Sequence, residues 1–126
     1  MATILSLNLR DILMANLWIV SRHAGAVQWI KSQGWNGKQI DHLDIDCVQA
    51  GDTVMGTLPA NLAAEVCAKN AHYIHLSLRI PLELRGVELT PEQMMIYGAD
   101  LRAYDIREQP FNPEMLASYT QPSHLN

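Results

Sequence analysis

Three adjacent residues, Ser21, Arg22 and His23, set a hydroxyl, a guanidinium and an imidazole side by side in the stretch "WIVSRHAGA". A guanidinium offers a two-pronged fork for a phosphate, and an imidazole exchanges a proton near neutral pH. Gly25 follows and lets a backbone come close to a ligand. This combination fits phosphate chemistry, with Ser21, Arg22 and His23 as candidate catalytic residues. The alternative is three ordinary solvated loop residues.

A second constellation lies in "GTLPANLAAEV". Gly56 permits an unusual backbone angle, and Pro59 suits a first helical turn, where an N–H has no partner anyway. The helix that follows aims its unpaired N–H groups and positive dipole end at any anion placed before it. Gly56, Thr57, Leu58, Pro59 and Asn61 are therefore candidate ligand contacts, against the plainer reading of a strand-to-helix turn. Ser77, Arg79 and Arg85 follow a later strand and complete the set.

Other chemistry-bearing residues point to structural roles. His72 and His75 are three apart on an expected strand, so they face opposite sides and cannot share a metal. His75 shares a face with Tyr73 and Ser77. His42 sits among Asp41, Asp44 and Asp46, but strand alternation turns Asp41 away from it. Cys47 and Cys67 have no CxxC partner, so neither a zinc site nor a disulfide framework is expected. No metal and no cofactor is called for, and a reducing cytoplasm fits the cysteines best.

The elements that must position these residues read as alternating strands and helices. "NLWIV" is a short apolar strand, and "GAVQWIKSQG" places Ala26, Val27, Trp29, Ile30 and Gln33 at helical spacings. Gln39 to Ile45 alternates as a half-exposed strand. "GDTVMGTL" gives a third strand that feeds the helix of "ANLAAEVCAKNA", and "HYIHLSL" a fourth. Thr90, Pro91 and Gln93 spell a capping box at the start of another helix. "DLRAYDIRE" closes the set. Five strands and three helices in alternation predict a small Rossmann-like α/β fold, with a mostly parallel sheet flanked by helices. In such sheets ligands lie beyond the carboxyl ends of the strands, where all the candidates above fall.

Composition bounds the function. The chain has 126 residues, enough for one domain with one real core. Lys and Arg number 9 against 13 for Asp and Glu, a net charge of −4, which argues against coating bulk DNA or RNA. A small anion in a single pocket remains compatible. No signal peptide and no membrane span is expected, because Arg10 and Asp11 interrupt the only candidate run. Residues 1–13 read as an upstream extension, since Met14 opens "MANLWIVSRH" sensibly. Residues 14–108 form the domain, and 109–126, with Pro110, Pro113 and Pro122, a tail without periodicity.

Two families compete for the opening motif. Histidine phosphatases carry an Arg-His pair after their first strand, with the histidine as phosphoryl acceptor. Here Ala24 stands where their motif has glycine, and the only later candidate histidine, His124, lies in the tail. The broader resemblance is to the CRISPR-associated Csx-sixteen family, accessories of type III systems. It runs from Leu17 to about Arg107, through "VSRHAGAVQWIKSQG", "GDTVMGTLPANLAAEVCAKNAHYIHLSL" and "ELRGVELT". That resemblance implies a CARF-like fold and a ring nuclease that degrades cyclic oligoadenylate, especially cyclic tetra-adenylate, and ends the antiviral response. A non-catalytic binding protein for the same ligand is the alternative within the family reading. The resemblance further implies metal-independent cleavage by the RNA 2′-hydroxyl. A homodimer whose dyad matches that of the ring is expected to bind it.

Overall fold

Leu17–Val20 forms β1 because LWIV is a run of apolar strand formers, and Trp18, Ile19 and Val20 are each paired with a strand on either side. The structure, a computed structural model, describes residues 15 to 120. The expected extension over residues 1–13 lies outside them, as does His124.

The elements alternate as the periodicity predicts. After β1 come α1 (Ala24–Ser32), β2 (Lys38–Ile40), β3 (Thr53–Gly56), α2 (Ala60–Ala68) and β4 (His72–Ser77). A short α3 (Pro91–Ile96) and β5 (Asp100–Tyr104) complete the sheet. Strand order is β2-β1-β3-β4-β5, parallel throughout except for the antiparallel pairing of β5 with β4. This is a small Rossmann-like sheet flanked by helices. Its parallel half reverses direction of winding between β1 and β3, which leaves a crevice at their carboxyl ends.

Each face of the sheet carries its own core. Ile19 and Met55 meet Ala26, Trp29 and Ile30 of α1 and Met94 of α3 on one side. Val54 and Tyr73 meet Ala63 and Val66 of α2 on the other. The change from Val54 to Met55 across the two cores is the period of 2 that a strand imposes. Burying Ile19, Ile30, Val54, Met55, Val66 and Met94 contributes roughly 1.5–3 kcal/mol each.

One buried carboxylate ties the strand starts together. Asp52 is 1% exposed, and it accepts from the backbone N–H of Asn16, the indole N–H of Trp18 and the backbone N–H of Gln49. It therefore holds β1, β3 and the turn before β3 at the end of the sheet opposite the crevice.

The capping box is present as spelled in the sequence. Thr90 Oγ1 accepts from the Gln93 N–H at 3.2 Å, and Gln93 Oε1 accepts from the Thr90 N–H at 3.0 Å. The strand expected over Gln39 to Ile45 is shorter, ending at Ile40. Aspartates take over from the ladder: Asp41 accepts from the Gln39 amide, and Asp44 caps a turn of 3-10 helix at Ile45–Cys47 through the Asp46 N–H. The tail forms a further 3-10 stretch, Pro113–Tyr119, exposed throughout.

Candidate functional site

The carboxyl ends of β1 and β3 open into a cavity of about 450 Å³. Ser21, Arg22 and His23 line it from the loop after β1, and Gly56, Thr57 and Leu58 from the turn after β3. Asp41 and His42, which follow β2, reach the same space, and so do Gly86 and Val87 of the segment between β4 and α3. The rest of the wall is apolar: Ala26 and Ile30 of α1, Leu62 of α2, Leu76, Leu78, Ile80, Leu89 and Met94. A polar rim over an apolar wall suits a ligand with a charged end and an apolar end.

The loop after β1 is shaped by Ser21. Its N–H donates to the Ile40 carbonyl at 3.0 Å, extending the β1–β2 ladder, and its hydroxyl accepts from the His23 N–H at 3.1 Å. The chain thereby turns into α1 with Arg22 and His23 exposed at the cavity. Arg22 has no hydrogen-bond partner or ion pair among the described residues, which leaves its fork open to a ligand.

His23 is held by Glu88. The carboxylate accepts from His23 Nδ1 at 3.1 Å and, with its other oxygen, from the Gly25 N–H at 3.2 Å. These two donors hold the Glu88 carboxyl below its ordinary value, the His23 contact contributing most. Gly25 itself serves packing. A side chain there would place its Cβ 1.7 Å from the Leu89 carbonyl oxygen, so only glycine lets α1 and the Glu88–Leu89 backbone approach.

The turn after β3 is tied down by its own protein. A Cβ on Gly56 would lie 2.5 Å from the Val20 carbonyl oxygen, so glycine at this position lets β3 end tight against β1. Thr57 donates its hydroxyl to the Leu76 carbonyl at 2.8 Å. The Leu58 N–H donates to the Tyr73 hydroxyl at 3.0 Å, and that hydroxyl donates to the Gly56 carbonyl at 3.3 Å and lies 2.6 Å from His75 Nδ1. Burial pushes the Tyr73 phenol up, so it stays protonated. The turn is thus rigid, and the Leu58 N–H is already engaged.

The other expected contacts are dispersed. Asn61 faces a separate groove of about 930 Å³ between α2 and Ala103 to Glu108. Pro59, exposed, caps α2 from the residue before it. Ser77 is paired with Asp100 in the sheet, and Arg85 is exposed after a 3-10 turn at Leu82–Leu84. Neither Ser77, Arg85 nor Pro59 is among the residues that line the cavity. His75 packs edge-on between Tyr73 and Tyr104, and His72 is exposed.

Asp41, His42 and Glu88 are functional candidates that strand and helix periodicity does not single out. Asp41 and His42 reach the cavity because β2 stops early. Glu88 lies 65 residues from His23 along the chain, and no local pattern announces that contact. Among the described residues no group of three or more His, Cys, Asp or Glu comes together as a metal site. Asp44 beside Cys47 holds that thiol up, which keeps it a thiol rather than a nucleophilic thiolate.

Residues 18–107, from β1 to just past β5, match the family model described as "Putative CRISPR-associated protein (Cas_VVA1548)". The chain belongs to this CRISPR-associated family. Neither a curated protein nor a solved structure matches it. The family match spans both halves of the cavity, the Ser21–His23 loop and the Gly56–Leu58 turn, as well as Glu88. No described helix of this CRISPR-associated chain is long and apolar enough to cross a membrane.

Proposed function

We propose that this CRISPR-associated chain is a ring nuclease, which binds cyclic oligoadenylate, with cyclic tetra-adenylate as the first choice, and cuts it to linear products. The observation that carries the reading is the shared cavity at the switch point between β1 and β3, where Arg22, without a partner among the described residues, and the Glu88-held His23 stand above an apolar wall. The wall suits an adenine ring, and the guanidinium suits the phosphate beside it.

RNA carries its own nucleophile, so alignment and charge stabilisation suffice for cleavage. The 2′-oxygen attacks the adjacent phosphorus while His23 takes the 2′-hydroxyl proton. Arg22 neutralises the charge that develops on the non-bridging oxygens, and the 5′-oxygen leaves with a proton from water. The products are a 2′,3′-cyclic phosphate and a 5′-hydroxyl. Ser21 orients the His23 backbone. Asp41 and His42 complete the rim.

The ring contains a twofold axis, so a homodimer with its dyad over the cavities presents two sites to one ligand. Exposed apolar side chains support that arrangement: Val87 lines the cavity, and Met95 and Ile96, next in sequence to the lining Met94, are exposed on α3.

The test is incubation of labelled cyclic tetra-adenylate with the protein in EDTA, with products resolved by chromatography. Linear oligoadenylates ending in a 2′,3′-cyclic phosphate support the reading. Tight binding with intact ring makes the protein a sequestering module, and phosphate release from monoesters with a phosphohistidine at His23 makes it a phosphatase.

A further inference from the structure

His23 and Glu88 form an exposed pair, with side chains 69% and 57% accessible. Exposed pairs of this kind stabilise a fold by only about 0–1 kcal/mol, so folding alone gives little reason for it. Its geometry has a sharper consequence. Glu88 places one oxygen on the Gly25 N–H, which belongs to the first turn of α1, and this leaves the other oxygen on His23 Nδ1. An ionised carboxylate only accepts hydrogen bonds, so Nδ1 must carry a proton. The carboxylate stays ionised because both donors hold its pKa low.

We infer that Glu88 is a positioning residue for the chemistry proposed above: it fixes the His23 tautomer with the proton on Nδ1 and leaves Nε2 bare as the base that takes the 2′-hydroxyl proton. When Nε2 accepts that proton, the imidazolium gains a neighbouring negative charge. The Gly25 N–H anchors the carboxylate so that it cannot swing away. Glu88 itself touches no reacting atom.

Glu88→Gln tests the assignment with almost no change of shape. An amide has one accepting oxygen and one donating nitrogen. With its oxygen on the Gly25 N–H, its nitrogen faces His23 Nδ1, which must then accept, and the proton moves to Nε2. The inference rests on the nuclease reading, so one readout is independent of activity. Nitrogen-15 chemical shifts of His23 report which ring nitrogen is protonated. In the neutral imidazole of the wild type the proton is expected on Nδ1; a neutral ring with its proton on Nε2 overturns the inference, whether or not the variant folds.

In Glu88→Gln the tautomer is expected to reverse, and turnover of cyclic tetra-adenylate to fall on the order of 10²-fold or more, the size of a general-base contribution. Binding of the tetra-deoxy ring, which lacks the nucleophile, is expected to stay near the wild-type level. Glu88→Asp keeps two accepting oxygens and is expected to recover part of the turnover. A wild type that cuts the ring and a Glu88→Gln variant that cuts it equally fast would sink the inference and leave the nuclease reading intact. A wild type that leaves the ring whole counts against the nuclease reading, and the nitrogen shifts then still decide where the proton sits.

Discussion

The Tyr73 hydroxyl lies 2.6 Å from His75 Nδ1 while accepting the Leu58 N–H at 3.0 Å, so a side chain in the core of β4 holds the turn that follows β3. Tyr73 is 2% exposed, and loss of its hydroxyl leaves the Leu58 N–H and the Gly56 carbonyl without this partner. Tyr73→Phe keeps the ring and deletes the hydroxyl. The expected cost is about 1–3 kcal/mol, the usual penalty for an unsatisfied buried polar group, read by urea unfolding. The Gly56–Leu58 turn should also loosen, with faster amide exchange at Leu58.

Gly25→Ala places a methyl against the Leu89 carbonyl, 1.7 Å away, and backbone rather than a flexible side chain must yield. Overpacking of this kind costs about 1–3 kcal/mol or more. The same shift pulls Glu88 from the Gly25 N–H, so the variant should lose turnover beyond what its stability explains. Thermal unfolding and a rate measured well below the melting point separate the two effects.

Asp52 accepts from three donors at the far end of the sheet from the cavity. Asp52→Ala strands the Trp18 indole N–H and two backbone N–H groups near a buried site. A loss of about 3 kcal/mol is expected in denaturant unfolding. A loss well under 1 kcal/mol would mean that water replaces the carboxylate with little penalty.

The pH dependence follows from Glu88. Its folded carboxyl is held below its ordinary value of 4.5, chiefly by His23 and then by the Gly25 N–H. A carboxyl with a depressed folded pKa contributes stability that is present above the unfolded value and is lost as pH falls through the folded one. The stability difference between wild type and Glu88→Gln should therefore hold at neutral pH, shrink as pH falls below 4.5 and vanish once pH lies below the depressed folded value. Asp100, depressed by Arg102, weakens both proteins alike on acidification and so cancels from the difference. Unfolding midpoints measured across that range check the sign: a difference that grows on acidification contradicts it.

Much of the fold was legible from period and caps. The apolar run of β1, the capping box at Thr90 and Gln93, and the strand-to-helix passage at Gly56 to Ala60 each rest on neighbours within a few residues, where local physics decides. The length of β2 was not legible, because Asp44 takes the Asp46 backbone N–H that alternation assigns to a ladder, while Asp41 holds the Gln39 side-chain amide just past the strand end. At the cavity, the rule that ligands sit beyond strand ends located Ser21 to His23 and Gly56 to Leu58. It spread too far to Asn61, Ser77 and Arg85, because it says nothing of which side a residue faces. Gly25 and Gly56 look alike in sequence as openings for a ligand, and in the fold their missing side chains make room for Leu89 and Val20. Glu88 depends on a contact across most of the chain, which no window of sequence contains.

Arg22 tests the central claim most directly, since its guanidinium lines the cavity without a partner among the described residues. The decisive measurement is the single-turnover rate of cyclic tetra-adenylate cleavage in EDTA, for the wild type and Arg22→Ala side by side. The account predicts linear products from the wild type and a rate on the order of 10²–10³-fold lower in the variant, the usual loss when a charge-stabilising group is removed. Intact ring after prolonged incubation with excess wild-type protein, or equal rates for the two proteins, would contradict it.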